Sequence, residues 1–130
     1  MIVRCISNRD PLSSENTIPQ NPIDITIGKE YIVLGICLQP TKGDNYQLYY
    51  IVNNDSDNVT RVAASRFALV DSGVSVSWRV GFGQNGEFLV QPPEFYEQYF
   101  LDDASNAGSD DQVALSGLID RLEDEARKSN

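Results

Sequence analysis

The chain has 130 residues, no histidine, two cysteines and a formal net charge of −9. A domain of this length buries roughly two-thirds of the surface its unfolded form exposes, so it needs no metal or disulfide staple. The missing histidine excludes Ser-His-Asp and Cys-His nucleophile systems and a histidine general base. Two cysteines are too few for a four-thiolate zinc site, and no run of about 18 apolar residues offers a membrane span.

In chain order, residues 2–7 are rich in Ile and Val and predict a first strand. Residues 8–22 are polar and carry Pro11, Pro19 and Pro22, which predicts a long surface loop. Ile23-Asp24-Ile25-Thr26-Ile27 alternates and reads as a strand ending at the Gly28-Lys29 turn. Glu30 to Gln39 then reads as one apolar strand stopped by Pro40. Beyond the loop 41–45, Tyr46 to Asn53 predicts a strand with Tyr46, Leu48, Tyr50 and Val52 on one face. Gln47, Tyr49 and Ile51 fall on the other. Asn54-Asp55-Ser56-Asp57-Asn58 has hairpin length, and Val59 to Ala64 returns antiparallel.

Residues 65–71 read as a short strand or a turn leading into one. Val74-Ser75-Val76-Ser77-Trp78-Arg79-Val80 alternates without exception, which predicts the clearest strand of all, with Trp78 in phase with three core valines. Gly81 to Gly86 follows as a turn and Glu87 to Val90 as its partner strand. Pro92-Pro93 ends the sheet region, and Glu94, Phe95, Tyr96, Tyr99 and Phe100 follow at helical spacing. Ser109, with Gln112 three residues later, forms a capping box for an amphipathic helix whose stripe is Leu115, Leu118, Ile119, Leu122 and Ala126.

The expected organisation is one domain, 1–130, with a β-barrel core over 1–91. A short helix over 92–102, a linker over 103–108 and an amphipathic C-terminal helix over 109–128 complete it. The fold class expected is mainly β, a small antiparallel barrel or bent sheet with two C-terminal helices, α+β by content.

Charge is uneven along the chain. Residues 1–93 hold nine acids against seven bases, whereas residues 94–130 hold ten acids against three bases. The acidic half repels nucleic acid and anionic lipid and attracts a cationic partner. Two motifs are decoys. Gly81-x-Gly83-x-x-Gly86 spells a dinucleotide fingerprint, but the strand-like Glu87-Phe88-Leu89-Val90 follows where the fingerprint needs a helix, so Asn85-Gly86 reads as a hairpin turn. Asp55-x-Asp57 opens like a calcium loop, yet Thr60 and Arg66 occupy the places of its glycine and last glutamate. Among the many acids, Glu30 and Asp71 stand at strand ends, and nothing in the sequence joins two of them into an acid–base pair.

Ile27-Gly28-Lys29-Glu30-Tyr31-Ile32-Val33-Leu34-Gly35, Tyr49-Tyr50-Ile51-Val52, Arg66-Phe67-Ala68-Leu69-Val70 and Trp78 together resemble small SH3-like barrel proteins of bacteria, in which a G-K-x-Y-x-V strand precedes a tyrosine-rich strand and an F-x-x-V strand. The resemblance covers roughly residues 23–80 and leaves out the C-terminal helices. Some such proteins are predicted immunity proteins of toxin–immunity systems. The likeness implies a cytoplasmic SH3-like barrel that blocks a toxin by binding it, and an acidic inhibitor suits a basic toxin.

The expectation is therefore a non-enzymatic protein-binding domain with no catalytic residue, cofactor or metal. The candidate contacts with a basic protein partner are Asp55, Asp57, Glu94, Glu97, Asp102, Asp103, Asp110 and Asp111, with Tyr46 and Tyr49 as anchors. The alternative is a structural or assembly module of a phage or mobile element that forms a homo-oligomer through the stripe of its C-terminal helix. An enzyme with two carboxylates in a pocket is the third reading. An N-terminus that turns polar by Ser7 carries no secretory pattern, which makes the cytoplasm the expected location.

Overall fold

The computed structural model describes residues 1–7, 24–96 and 110–128. Among the described residues the strands are β1 (Ile2–Cys5), β2 (Glu30–Ile32), β3 (Gly35–Pro40), β4 (Tyr46–Asn53), β5 (Val59–Ala63), β6 (Phe67–Asp71), β7 (Arg79–Phe82) and β8 (Phe88–Gln91), followed by the α-helix α1 (Asp110–Lys128). The protein is mainly β. A three-stranded sheet has the order β2-β1-β6 and a five-stranded sheet the order β5-β4-β3-β8-β7, with every neighbouring pair antiparallel. Among the described residues the strands form these two sheets, with no ladder closing them into one barrel.

The five-stranded sheet separates two apolar layers. On one side Val52 and Val62 pack with Val3, Cys5, Tyr31, Phe67 and Trp78 from the smaller sheet and its connections. On the other side Ile51 packs with Leu34, Phe95, Leu118 and Leu122. Successive strand residues point to opposite faces, so Ile51 and Val52 serve different layers although they are neighbours in sequence.

Glu30 to Gln39 is two strands, not one. The chain leaves the smaller sheet at Val33, whose N–H donates to the Met1 carbonyl at 3.0 Å, and joins the larger one at Leu34, whose N–H donates to the Ile51 carbonyl at 2.7 Å. Both side chains are fully buried, one in each layer. The strand expected over 23–27 is also absent from its described part. There the Thr26 N–H donates to the Tyr31 hydroxyl at 2.8 Å, so a side chain takes the place of a ladder partner. Ile23 itself lies outside the described residues.

The largest correction concerns Val74–Val80. Only Arg79 and Val80 belong to a strand, and Ser75 to Trp78 forms a turn closed by a Trp78 N–H to Ser75 carbonyl bond of 3.3 Å. Trp78 is buried in the core as expected, whereas Val74, Val76 and Val80 are exposed. The β7–β8 connection is the hairpin foreseen in place of a dinucleotide loop, with Gly86 at φ 82° and the Gly83 N–H donating to the Glu87 carbonyl at 2.9 Å.

A 3₁₀ turn over Pro93–Tyr96 opens the segment expected as a helix over 92–102, and the rest of that segment, the linker 103–108 and Ser109 lie outside the described residues. Tyr96 lies on the sheet, donating its hydroxyl toward the Arg79 and Leu89 carbonyls at 2.6 and 3.1 Å. Its ring occupies the space over Gly81, where a Cβ would stand 2.5 Å from a ring carbon. In α1 the expected stripe faces its own domain: Leu118, Leu122 and Ala126 are buried, and Leu115 and Ile119 pack at the margin of the layer.

Candidate protein-binding surface

Among the described residues, the acids and tyrosines singled out in the sequence do not form one surface. Tyr46 starts β4 and Asp55 follows its far end, so the strand's eight residues, at about 3.4 Å each, hold them more than about 20 Å apart. Tyr46 is exposed beside its partner Pro40. Tyr49 points to the opposite face, is half-buried, and donates its hydroxyl to Gln47 Oε1 at 3.1 Å.

Asp55 is engaged within the chain. Its Oδ2 accepts Thr26 Oγ1 at 2.6 Å, and its Oδ1 accepts Lys29 Nζ at 2.7 Å and the Tyr31 hydroxyl at 2.8 Å. The Lys29 bond above all, then the two hydroxyl donors, hold this carboxyl down to about 2. Lys29 is raised in turn, chiefly by the same bond. Ser56 Oγ donates to Asp24 beside it, completing a polar staple between the 54–58 hairpin and the approach to β2. Asp57, at φ 61°, accepts Asn53 Nδ2 at 2.7 Å.

The C-terminal acids are similarly divided. Glu94 stands 3.8 Å from Arg121. Glu125 accepts Ser75 Oγ at 3.0 Å and the Val76 N–H at 2.7 Å. Asp110, Asp120 and Asp124 are exposed on the outer side of α1, where Arg121 and Arg127 interrupt them. Glu97, Asp102 and Asp103 lie outside the described residues, as does the side chain of Asp111.

Two concavities accompany these features. A groove of about 520 Å³ between β2, the end of β4 and α1 gathers Glu30, Glu123, Lys29 and Arg127, a charge-balanced set. Another of about 670 Å³ is lined mainly by apolar and aromatic residues, with Arg61 as its cation. Among the described residues no group of three His, Cys, Asp or Glu stands together as metal ligands.

What the fold does assemble is apolar. Register sets Phe82 opposite Phe88, Phe88 opposite Leu38, and Leu38 opposite Leu48, so one row crosses β7, β8, β3 and β4 on a single face. The two phenylalanine rings meet edge to face at 5.7 Å between centroids. Next to this row lies Val80-Val90-Ile36-Tyr50-Val62, whose last members enter the core under the smaller sheet. Among the described residues, the smaller sheet covers one end of the face and leaves the other bare. Phe82 is 77% exposed, Val80 65%, Tyr46 59%, Leu48 38% and Phe88 36%.

Of these residues only Tyr46 stands out in the sequence as a contact. Phe82 sits inside a glycine-rich run that reads as a turn, and Val80 carries a phase that reads as core. Only the pairing of four strands distant in sequence reveals the row. Compared with known proteins, the chain matches no family model, no curated protein and no solved structure.

Proposed function

We propose that this chain is a non-catalytic protein-binding domain that makes contact through the bare end of its five-stranded sheet. The observation that carries this reading is the exposed row from Phe82 to Leu48, extended by Val80 and Tyr46. Single exposed apolar residues are ordinary, but a contiguous patch of large ones marks an interaction surface. Aromatic residues such as the Phe82 and Phe88 at its centre are enriched at protein interfaces. The strongly shifted carboxyl, Asp55, is lowered and saturated with donors, whereas a general acid at neutral pH needs a raised one.

An immunity-type inhibitor of a basic toxin is the second reading, favoured by the net charge of −9 and by exposed Asp110, Asp120 and Asp124 on α1. Assembly through the C-terminal helix draws less support, because the stripe of α1 packs on Leu34, Ile51 and Phe95 of its own chain. Capture from the cell of origin separates these readings when wild type, Phe82→Ser and Asp120→Asn/Asp124→Asn are used as bait at low and high salt. A partner lost with Phe82→Ser and kept at high salt supports the sheet face. One lost with salt and with the aspartate substitutions supports the acidic inhibitor.

A further inference from the structure

We propose that the bare end of the sheet is a self-complementary contact between two copies of this chain, centred on Phe82 and Phe88 and flanked by Val80, Leu38, Leu48 and Tyr46. This rests on the reading of that face as a protein-binding surface and names its occupant.

Area is the first argument. Aromatic side chains carry about 150–250 Å² each and aliphatic ones somewhat less, so the fractional exposures above leave about 500 Å² of apolar side chain on the face. A standard interface takes about 800 Å² from each partner, and in homodimers about 65% of it is apolar. The apolar area required is therefore about 500 Å² per copy. Contacts between unlike, separable partners are less apolar than this, nearer the average surface.

Charge is the second. The chain carries −9, yet none of the six residues of the face is charged. A cationic partner is drawn to carboxylates and gains nothing from a neutral patch. Two equally acidic copies repel each other, and an uncharged face is where they approach at least cost. A two-fold axis over the Phe82–Phe88 pair sets each copy's aromatic end against the other's in an isologous contact.

The two arguments predict an unusual salt response. Screening weakens the repulsion between copies, and the apolar contact does not need the field, so association tightens as salt rises. The test is sedimentation velocity on the full chain over a concentration series at low and high salt. Wild type, Phe82→Ser, Tyr46→Ser and the control Leu69→Ser are compared. Leu69 is 54% exposed, close to the value for Tyr46, but lies on β6 of the other sheet. Far-UV circular dichroism and urea unfolding of each variant confirm the fold.

The expected result is a dimer that strengthens with salt, weakens about tenfold or more with Phe82→Ser, weakens with Tyr46→Ser, and is unchanged by Leu69→Ser. A monomer at every concentration and salt overturns the proposal. So does a dimer that both face variants leave intact. If wild type is monomeric but Phe82→Ser still abolishes capture of a different protein, self-association fails and the protein-binding reading stands. If capture is also indifferent to Phe82→Ser, both fail.

Discussion

The Glu125 carboxylate accepts the backbone N–H of Val76 at 2.7 Å, across 49 residues of chain. Its other oxygen accepts Ser75 Oγ at 3.0 Å, so one acidic side chain near the end of α1 fastens the turn that leads to Trp78 and β7. An acid in the most negative part of the chain is thus spent on holding helix to sheet. Glu125→Ala removes both bonds and is expected to destabilise the fold by about 1.5 kcal/mol, the lower end for a charged acceptor. Urea unfolding measures the loss, and amide exchange at Val76 should accelerate by more than the global change accounts for. An unaltered Val76 amide would refute the clamp.

The same contact explains why the most regular pattern in the sequence misleads. Val74 to Val80 alternates perfectly, but alternation fixes a strand only if the backbone has ladder partners to bond. Here the Ser75 hydroxyl accepts the Ser77 N–H at 3.0 Å and Glu125 takes the Val76 N–H, so the segment finds its partners locally and from a helix. Val76 is left 83% exposed while Trp78 still reaches the core. Where partners are consecutive strands, as in β4 and β5, the sequence reading was accurate to a residue at the shared hairpin. The stripe of α1 was legible for a related reason, since helix periodicity is internal to the segment. The row from Phe82 to Leu48 was not legible, because it exists only through the order β4-β3-β8-β7.

Asp55 gives the protein a specific acid sensitivity. Its folded carboxyl is held at about 2, against an ordinary value near 3.8. A lowered folded value means that the contribution is complete above the unfolded value and disappears as pH falls through the folded one. Because Lys29 is half-exposed, solvent screening limits that contribution to about 1 kcal/mol. Asp55→Asn should therefore cost about that much at neutral pH, with the gap to wild type closing between roughly pH 4 and pH 2. Urea midpoints measured over that range check the sign. A gap that widens on acidification would contradict the geometry.

Leu122 is among the most buried residues of α1, packed with Leu34, Ile51 and Phe95. Leu122→Ala should cost about 2–5 kcal/mol, as for other large-to-small changes in a core. The comparison with Val113→Ala, on the exposed side of the same helix, is the informative one: that change should stay within about 0.5 kcal/mol. Similar losses at both positions would mean that the inner and outer sides of α1 had been assigned wrongly.

Gly81 tests how the 3₁₀ turn is seated. Any Cβ at this position meets the Tyr96 ring at 2.5 Å, and the ring is pinned by its hydroxyl bonds to the Arg79 and Leu89 carbonyls. Gly81→Ala must push the ring away or move the strand, at a cost of about 1–3 kcal/mol. If steric conflict with Tyr96 is the cause, Tyr96→Ala should suppress the penalty of Gly81→Ala in the double variant, because the space is then free. The expected coupling is at least about 1 kcal/mol, measured by a double-mutant cycle in urea. Strictly additive losses would show that Gly81 is required by the backbone of β7 itself and that Tyr96 only rests nearby.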